Sequence, residues 1–181
     1  MRPIQMLAGL AMLLGACGAP GPVIDSKYDP EQDFSAYRTF AWARDEPMDV
    51  TGLLGPTPHT AEKLLQSIRN SLESKGFSYL DERAAADFWV QFTVGARDGV
   101  EIWNVPNSFD DRWWGRPFYG SRQVAEQYTE GELAIDIIDG ARQVPVWHGS
   151  ASRRLTREDL SNPDPDVQPV VDEVLSTFPP G

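Results

Sequence analysis

The chain has 181 residues, a formal net charge of −11 and 41% hydrophobic residues, with six Trp among them. That size fits a single domain of ordinary length with a real core. The acidic balance argues against nucleic acid and anionic lipid surfaces as partners, because little in the chain could neutralise phosphates, and the lone cysteine, Cys17, excludes an internal disulfide.

The N-terminus opens with Arg2, continues through an apolar run at 4–14 broken only by Gln5, and closes on the small pair Gly15-Ala16 before Cys17. This is the layout of a cleaved export signal, and it is too short to span a bilayer, which takes ~20 apolar residues. Leu14-Gly15-Ala16-Cys17 resembles the lipobox of bacterial lipoproteins. The resemblance implies that residues 1–16 are a signal peptide and that Cys17 becomes the mature N-terminus, carrying a thioether-linked diacylglycerol and an N-acyl (palmitate-type) chain. Three chains anchor a protein essentially permanently. Gly18 in place of Asp implies sorting to the outer membrane, with the domain facing the periplasm. No cofactor is expected beyond that covalent lipid.

Residues 18–25 (GAPGPVID) read as a Gly/Pro tether reaching at most ~28 Å. The expected domain plan is therefore 1–16 signal, 17–27 lipidated Cys and tether, and 28–181 one α+β domain. The aromatic, β-prone run 38–42 predicts a first strand. A Pro/Gly loop at 45–57 leads to Thr57 as N-cap and Pro58 at the first helical position. Ala61, Leu64, Leu65, Ile68 and Leu72 then recur at helical spacing until Gly76-Phe77 stops the helix. Residues 77–80 predict a short strand, and Phe88, Val90, Phe92 and Val94 alternate along a half-buried one. Leu133, Ile135 and Ile137 share a face of a strand at 132–139, and 144–154 forms its hairpin partner. Val167, Val170, Val171, Val174, Leu175 and Phe178 make a final helical stripe. The expected fold is α+β: a two-layer sandwich of a mostly antiparallel sheet of about five strands with two amphipathic helices on one face.

Several pieces in order resemble one family of bacterial lipoproteins, domain of unknown function 4136. They are Tyr28-Asp29, Asp33-Phe34 through Tyr37, Thr39 and Trp42; Lys75-Gly76-Phe77; Ala86-Asp87-Phe88; Tyr128-Thr129-Glu130-Gly131-Glu132-Leu133 with Ile135-Asp136; Val146-Trp147 with Gly149; and Phe178-Pro179. The resemblance implies a two-layer domain anchored in the cell envelope and brings no activity and no catalytic residues. His148 departs from the basic residue expected after Trp147.

Residues 103–119 (WNVPNSFDDRWWGRPFY) have neither helical nor strand period. Their aromatic groups, Trp103, Trp113, Trp114, Phe118 and Tyr119, are the candidate contacts for an envelope protein or a glycan, or for a lipid headgroup layer. The plain alternative is a loop that buries its rings as a satellite cluster. A second expectation is a periplasmic ligand or glycan carrier whose pocket lies between sheet and helices and is lined by Trp89, Trp103 and Trp147. Asn162, Asp164 and Asp166 imitate a calcium loop, but Val167 replaces its glycine, and a helix-entry turn explains them as well. Asp136 and Asp139 read as a face position and a turn former. His148 with Ser150 lacks an orienting acid in the sequence, so neither a metal nor an enzymatic function is expected.

Overall fold

The computed structural model describes residues 21–52, 55–107, 120–162 and 164–180, with side chains at 104–107 and 120–122 excepted. Among them, seven strands form one open sheet: β1 (Val23–Tyr28), β2 (Thr39–Trp42), β3 (Met48–Gly52), β4 (Ser78–Tyr79), β5 (Phe88–Asn107), β6 (Gly120–Asp139) and β7 (Pro145–Leu155). Their spatial order is β1-β7-β6-β5-β2-β4, and β3 also pairs with β5. Three helices accompany them, α1 (Pro58–Ser74), α2 (Arg157–Ser161) and α3 (Gln168–Leu175).

The α+β class and the two amphipathic helices on one face agree with the sequence, α3 covering only Gln168–Leu175 of the expected 167–178 stripe, while the sheet is larger and more mixed than five antiparallel strands. Its mixed character follows from connectivity. The chain leaves β3 and returns to the sheet through α1, and a crossover of that kind delivers parallel neighbours, so β2 and β3 both run parallel to β5. They lie end to end along one edge of β5, joined where the Pro47 carbonyl accepts from Phe92 N at 2.9 Å. The β5–β6–β7 meander is antiparallel. β1, which the composition assigned to a tether, pairs with β7 from Val23↔Ser152 to Tyr28↔Trp147. A Pro/Gly neighbourhood hid a strand whose hydrogen-bond partners come from the far end of the chain.

The start of α1 is as expected, with Thr57 Oγ1 accepting from Thr60 N at 3.1 Å. At its end Gly76 adopts φ +93°, which costs glycine nothing, and Phe77 N reaches back to the Leu72 carbonyl at 3.2 Å. Leu64, Ile68 and Leu72 of α1 and Val171, Val174 and Leu175 of α3 pack with Phe88, Val90, Phe92, Leu133, Ile135 and Ile137 in one cluster. Both helices therefore cover the same sheet face. Phe178, 1% exposed, is the hub of its aromatic end. Its ring lies 5.2 Å from Trp147, 5.6 Å from Phe88, 5.7 Å from Phe77 and 5.9 Å from Phe34, contacts of about 0.5–1.5 kcal/mol each beyond area burial. Gly149 makes room for Trp147, since a Cβ there would stand 2.2 Å from the indole.

Two carboxylates tie strand ends to this core. Asp87 accepts from Arg38 N, Thr39 N and Thr39 Oγ1 at 2.8–2.9 Å, fixing where β2 starts. Burial pushes its carboxyl up, but those donors and the Arg38 charge outweigh burial and hold it below the usual range. Asp139 is buried and accepts from Tyr37 Oη at 2.7 Å and from Arg142 N at 2.6 Å. Here too burial opposes ionisation and is outweighed, by these hydrogen bonds and the Arg142 charge. Burial and the Asp139 carboxylate push the Tyr37 phenol upward.

Candidate functional site

β5 and β6 outrun the sheet. β3 stops opposite Ala96 and β7 stops at Leu155 opposite Thr129, whereas the β5–β6 ladder continues from Gly99↔Tyr128 to Asn107↔Gly120. At about 3.4 Å per residue this two-stranded ribbon is about 30 Å long. Side chains alternate as in any strand, yet among the described residues no layer covers either face. Val100 is 58% exposed, Ile102 63% and Trp103 48%. The ribbon's base is braced by polar groups. Arg154 lies 4.1 Å over the Tyr128 ring and pairs with Glu101, Arg97 pairs with Glu130 at 2.8 Å, and Thr129 Oγ1 donates to Asp98 at 3.0 Å.

Of the five aromatic contacts expected from the sequence, Trp103 stands on this ribbon in an exposed position. Trp113, Trp114, Phe118 and Tyr119 lie outside the described residues, as does Cys17. The expected lack of strand period at 103–119 is corrected at its start, because residues 103–107 continue β5. The pocket expected from Trp89, Trp103 and Trp147 is not formed. Trp147 is 1% exposed in the core, Trp89 lies on the opposite sheet face under Arg83 and donates Nε1 to the Arg83 carbonyl, and Trp103 is on the ribbon.

A different cavity does lie between sheet and helices. The inner-face row formed by Ala96, Gly131 and Arg153 crosses β5, β6 and β7 in register. Two of its three side chains are minimal, where lower rows carry Phe92 with Ile135 and Val90 with Ile137. The space left is about 370 Å³, open on one side, with Leu64, Leu133, Val167 and Val170 on its apolar walls. Arg153 and Asp159 stand at its side, clasped at 2.7 and 3.0 Å. That pairing, with the Thr156 amide, draws the Asp159 carboxyl down to about 2. Register across three strands creates this cavity, and single-strand patterns give no signal for it.

The other candidates resolve into structure. The calcium-like spacing is a helix approach: Asp164 pairs with Lys63 and, at 3.3 Å, with His59, and Asp166 accepts from Gln168 N. Among the described residues no cluster of three or more His, Cys, Asp or Glu could hold a metal. Sequence reasoning missed the acid beside His148, which is Asp136, Oδ1 to Nδ1 2.8 Å, directly across the β6–β7 ladder. It also missed that Asp139, read as a turn former, is buried against Tyr37. Among the described residues no helix is long and apolar enough to cross a membrane.

Fold and surfaces together define a class: an open α+β sheet domain, helices on one face, with a bare two-stranded arm. A family model described as a domain of unknown function, DUF4136, matches residues 24–180, and the chain belongs to that family. A DUF4136 family protein from Bacteroides thetaiotaomicron is similar at 15% identity and TM-score 0.54, over 88% of this chain and 95% of that one. A PDZ domain protein from Parabacteroides distasonis is similar at 13% identity and TM-score 0.53 over 87% of this chain, which spans only 35% of that protein. At such identities the likeness speaks for the fold alone. No curated protein matches the sequence.

Proposed function

We propose that the protein is a lipid-anchored module of the bacterial cell envelope, held through acylated Cys17 at the periplasmic face of the outer membrane, whose domain works by binding or scaffolding and not by catalysis. The observation that carries this reading is the ribbon, where Val100, Ile102 and Trp103 are exposed together without a covering layer. Apolar groups left bare on one projecting element mark a contact site. Trp113, Trp114, Phe118 and Tyr119, which follow in the sequence and lie outside the described residues, are further candidates for that contact. The test is crosslinking of the intact lipoprotein in cells, compared with Ile102→Asp and with Trp113 and Trp114 replaced by Ala. Adducts lost in these variants support the reading, and equal adducts overturn it. Cys17→Ser is expected to abolish acylation and leave unprocessed precursor; membrane attachment through lipid that survives the change overturns the anchor.

The cavity favours a second reading, a carrier of a small apolar ligand. Its 370 Å³ falls within the range of ligand sites, and a cavity of about 150 Å³ already admits benzene. The uncharged fluorophore N-phenyl-1-naphthylamine is expected to bind the protein, and Ala96→Leu, which fills the floor, to remove that binding. Unchanged binding in the variant would exclude the cavity as carrier site.

A further inference from the structure

The lipid tether and the ribbon leave the domain at the same end. β7 runs up toward Leu155, and β1 is antiparallel to it, so β1 begins at the top of the sheet. The register makes this quantitative: Val23 pairs with Ser152, Ser152 with Glu132, and Glu132 with Gly95. The start of β1 is therefore level with Gly95, just below the ribbon. Because β1 starts at Val23, the tether to Cys17 shrinks to residues 18–22. Fully extended, it reaches about 18 Å. From the same level, β5 continues to Asn107, a further 40 Å or so at about 3.4 Å per residue. The ribbon outreaches the tether about twofold.

We infer that the ribbon is a membrane-contacting arm: with Cys17 anchored, its apolar groups lie in the headgroup layer of the same leaflet that holds the lipid. The inference rests on the anchoring reading and names the ribbon's partner as lipid. An arm that reaches about 40 Å beyond the start of β1, against about 18 Å for the leash, meets the surface whenever the domain stands end-on, and then lies along the interface or dips into it. Its chemistry suits that place, because Trp and Tyr sit well at the boundary of water and hydrocarbon, and Val100, Ile102 and Trp103 are already bare. The strands at 99–107 and 120–128 carry only Glu101, Arg122 and Glu126 as charges, a net of −1 against −11 for the chain. The acidic domain repels anionic surfaces, but its arm is nearly neutral, and the covalent anchor removes any need for electrostatic attraction.

Cys17 is the chain's only cysteine, so acylation blocks the native thiol and an introduced one can be labelled alone. An environment-sensitive nitrobenzoxadiazole dye is placed at Ile102→Cys on the ribbon or at Lys75→Cys, exposed at the opposite end of the sheet, in acylated full-length protein bound to phosphatidylcholine vesicles. The dye at 102 is expected to brighten, shift to the blue and be quenched by nitroxide-bearing lipid, and the dye at 75 to stay in water. If mass spectrometry shows Cys17 acylated and the protein bound while the dye at 102 stays in water, the inference is overturned and the anchor stands. Dyes equally quenched at both sites overturn the end-on placement. A dye at 102 that is shielded in cells but not on vesicles assigns the arm to a protein partner and also overturns it. Absence of acylation removes the anchoring reading and this inference together.

Discussion

β5 and β6 each spend half their length inside the domain and half outside it. In the lower half, Phe88, Val90 and Phe92 are fully buried against α1, α3 and Phe178; in the upper half, Val100 and Ile102 continue the same alternating face and are more than half exposed. The residue types barely change along the strand. What changes is whether a second layer exists, and the helices end before the ribbon begins. Alternation specifies a strand and its faces, while burial is decided by what the rest of the chain brings to those faces.

That contrast can be broken from either half. The largest effect is expected from Phe178→Ala, which empties the centre of the aromatic end and should cost about 3–5 kcal/mol in urea unfolding; a loss near zero would mean that the hub is replaceable. Next is Asp139→Ala, which strands the Tyr37 hydroxyl and should cost about 1.5–3 kcal/mol. This variant also sharpens the acid behaviour. The Asp139 carboxyl is held below its unfolded value of about 3.9, so its contribution is complete above that pH and disappears as pH falls through the folded value. The variant's stability should therefore fall less steeply than wild type below pH ~4, and parallel acid limbs would count against the assignment. Gly149→Ala drives a methyl into Trp147 and is expected to cost about 1–3 kcal/mol, read as a drop in urea midpoint; a neutral result would show that the indole can move aside. The smallest stability change belongs to the ribbon, where Ile102→Asp should alter unfolding by no more than about 0.5 kcal/mol while removing contact. A large destabilisation there would mean that the ribbon packs on something.

Much of the lower half is readable in the sequence. α1 announces itself through Thr57, Pro58 and its apolar spacing, β2 through its aromatic, β-prone composition, β4 as a short run after the helix stop, the buried parts of β5 and β6 through alternation, and β7 as the hairpin partner of β6. β3 escapes because Asp49, Val50 and Thr51 are all exposed, and its strand character comes from parallel pairing with β5. The ribbon escapes because Gly99 and mixed polarity blur its period. The cavity and the His148–Asp136 pair depend on register, which at Ile137/Ile138 shifts by a bulge, and no local pattern encodes that.

The pairing of β1 with β7 has a consequence in time. Val23 and Ser152 are 129 positions apart, from 152 − 23, so the first strand to emerge during synthesis waits for nearly the last. Closing so long a loop is slow relative to local contacts. Until then β1 has no strand to pair with, and its addition to β7 closes that edge of the sheet late in folding.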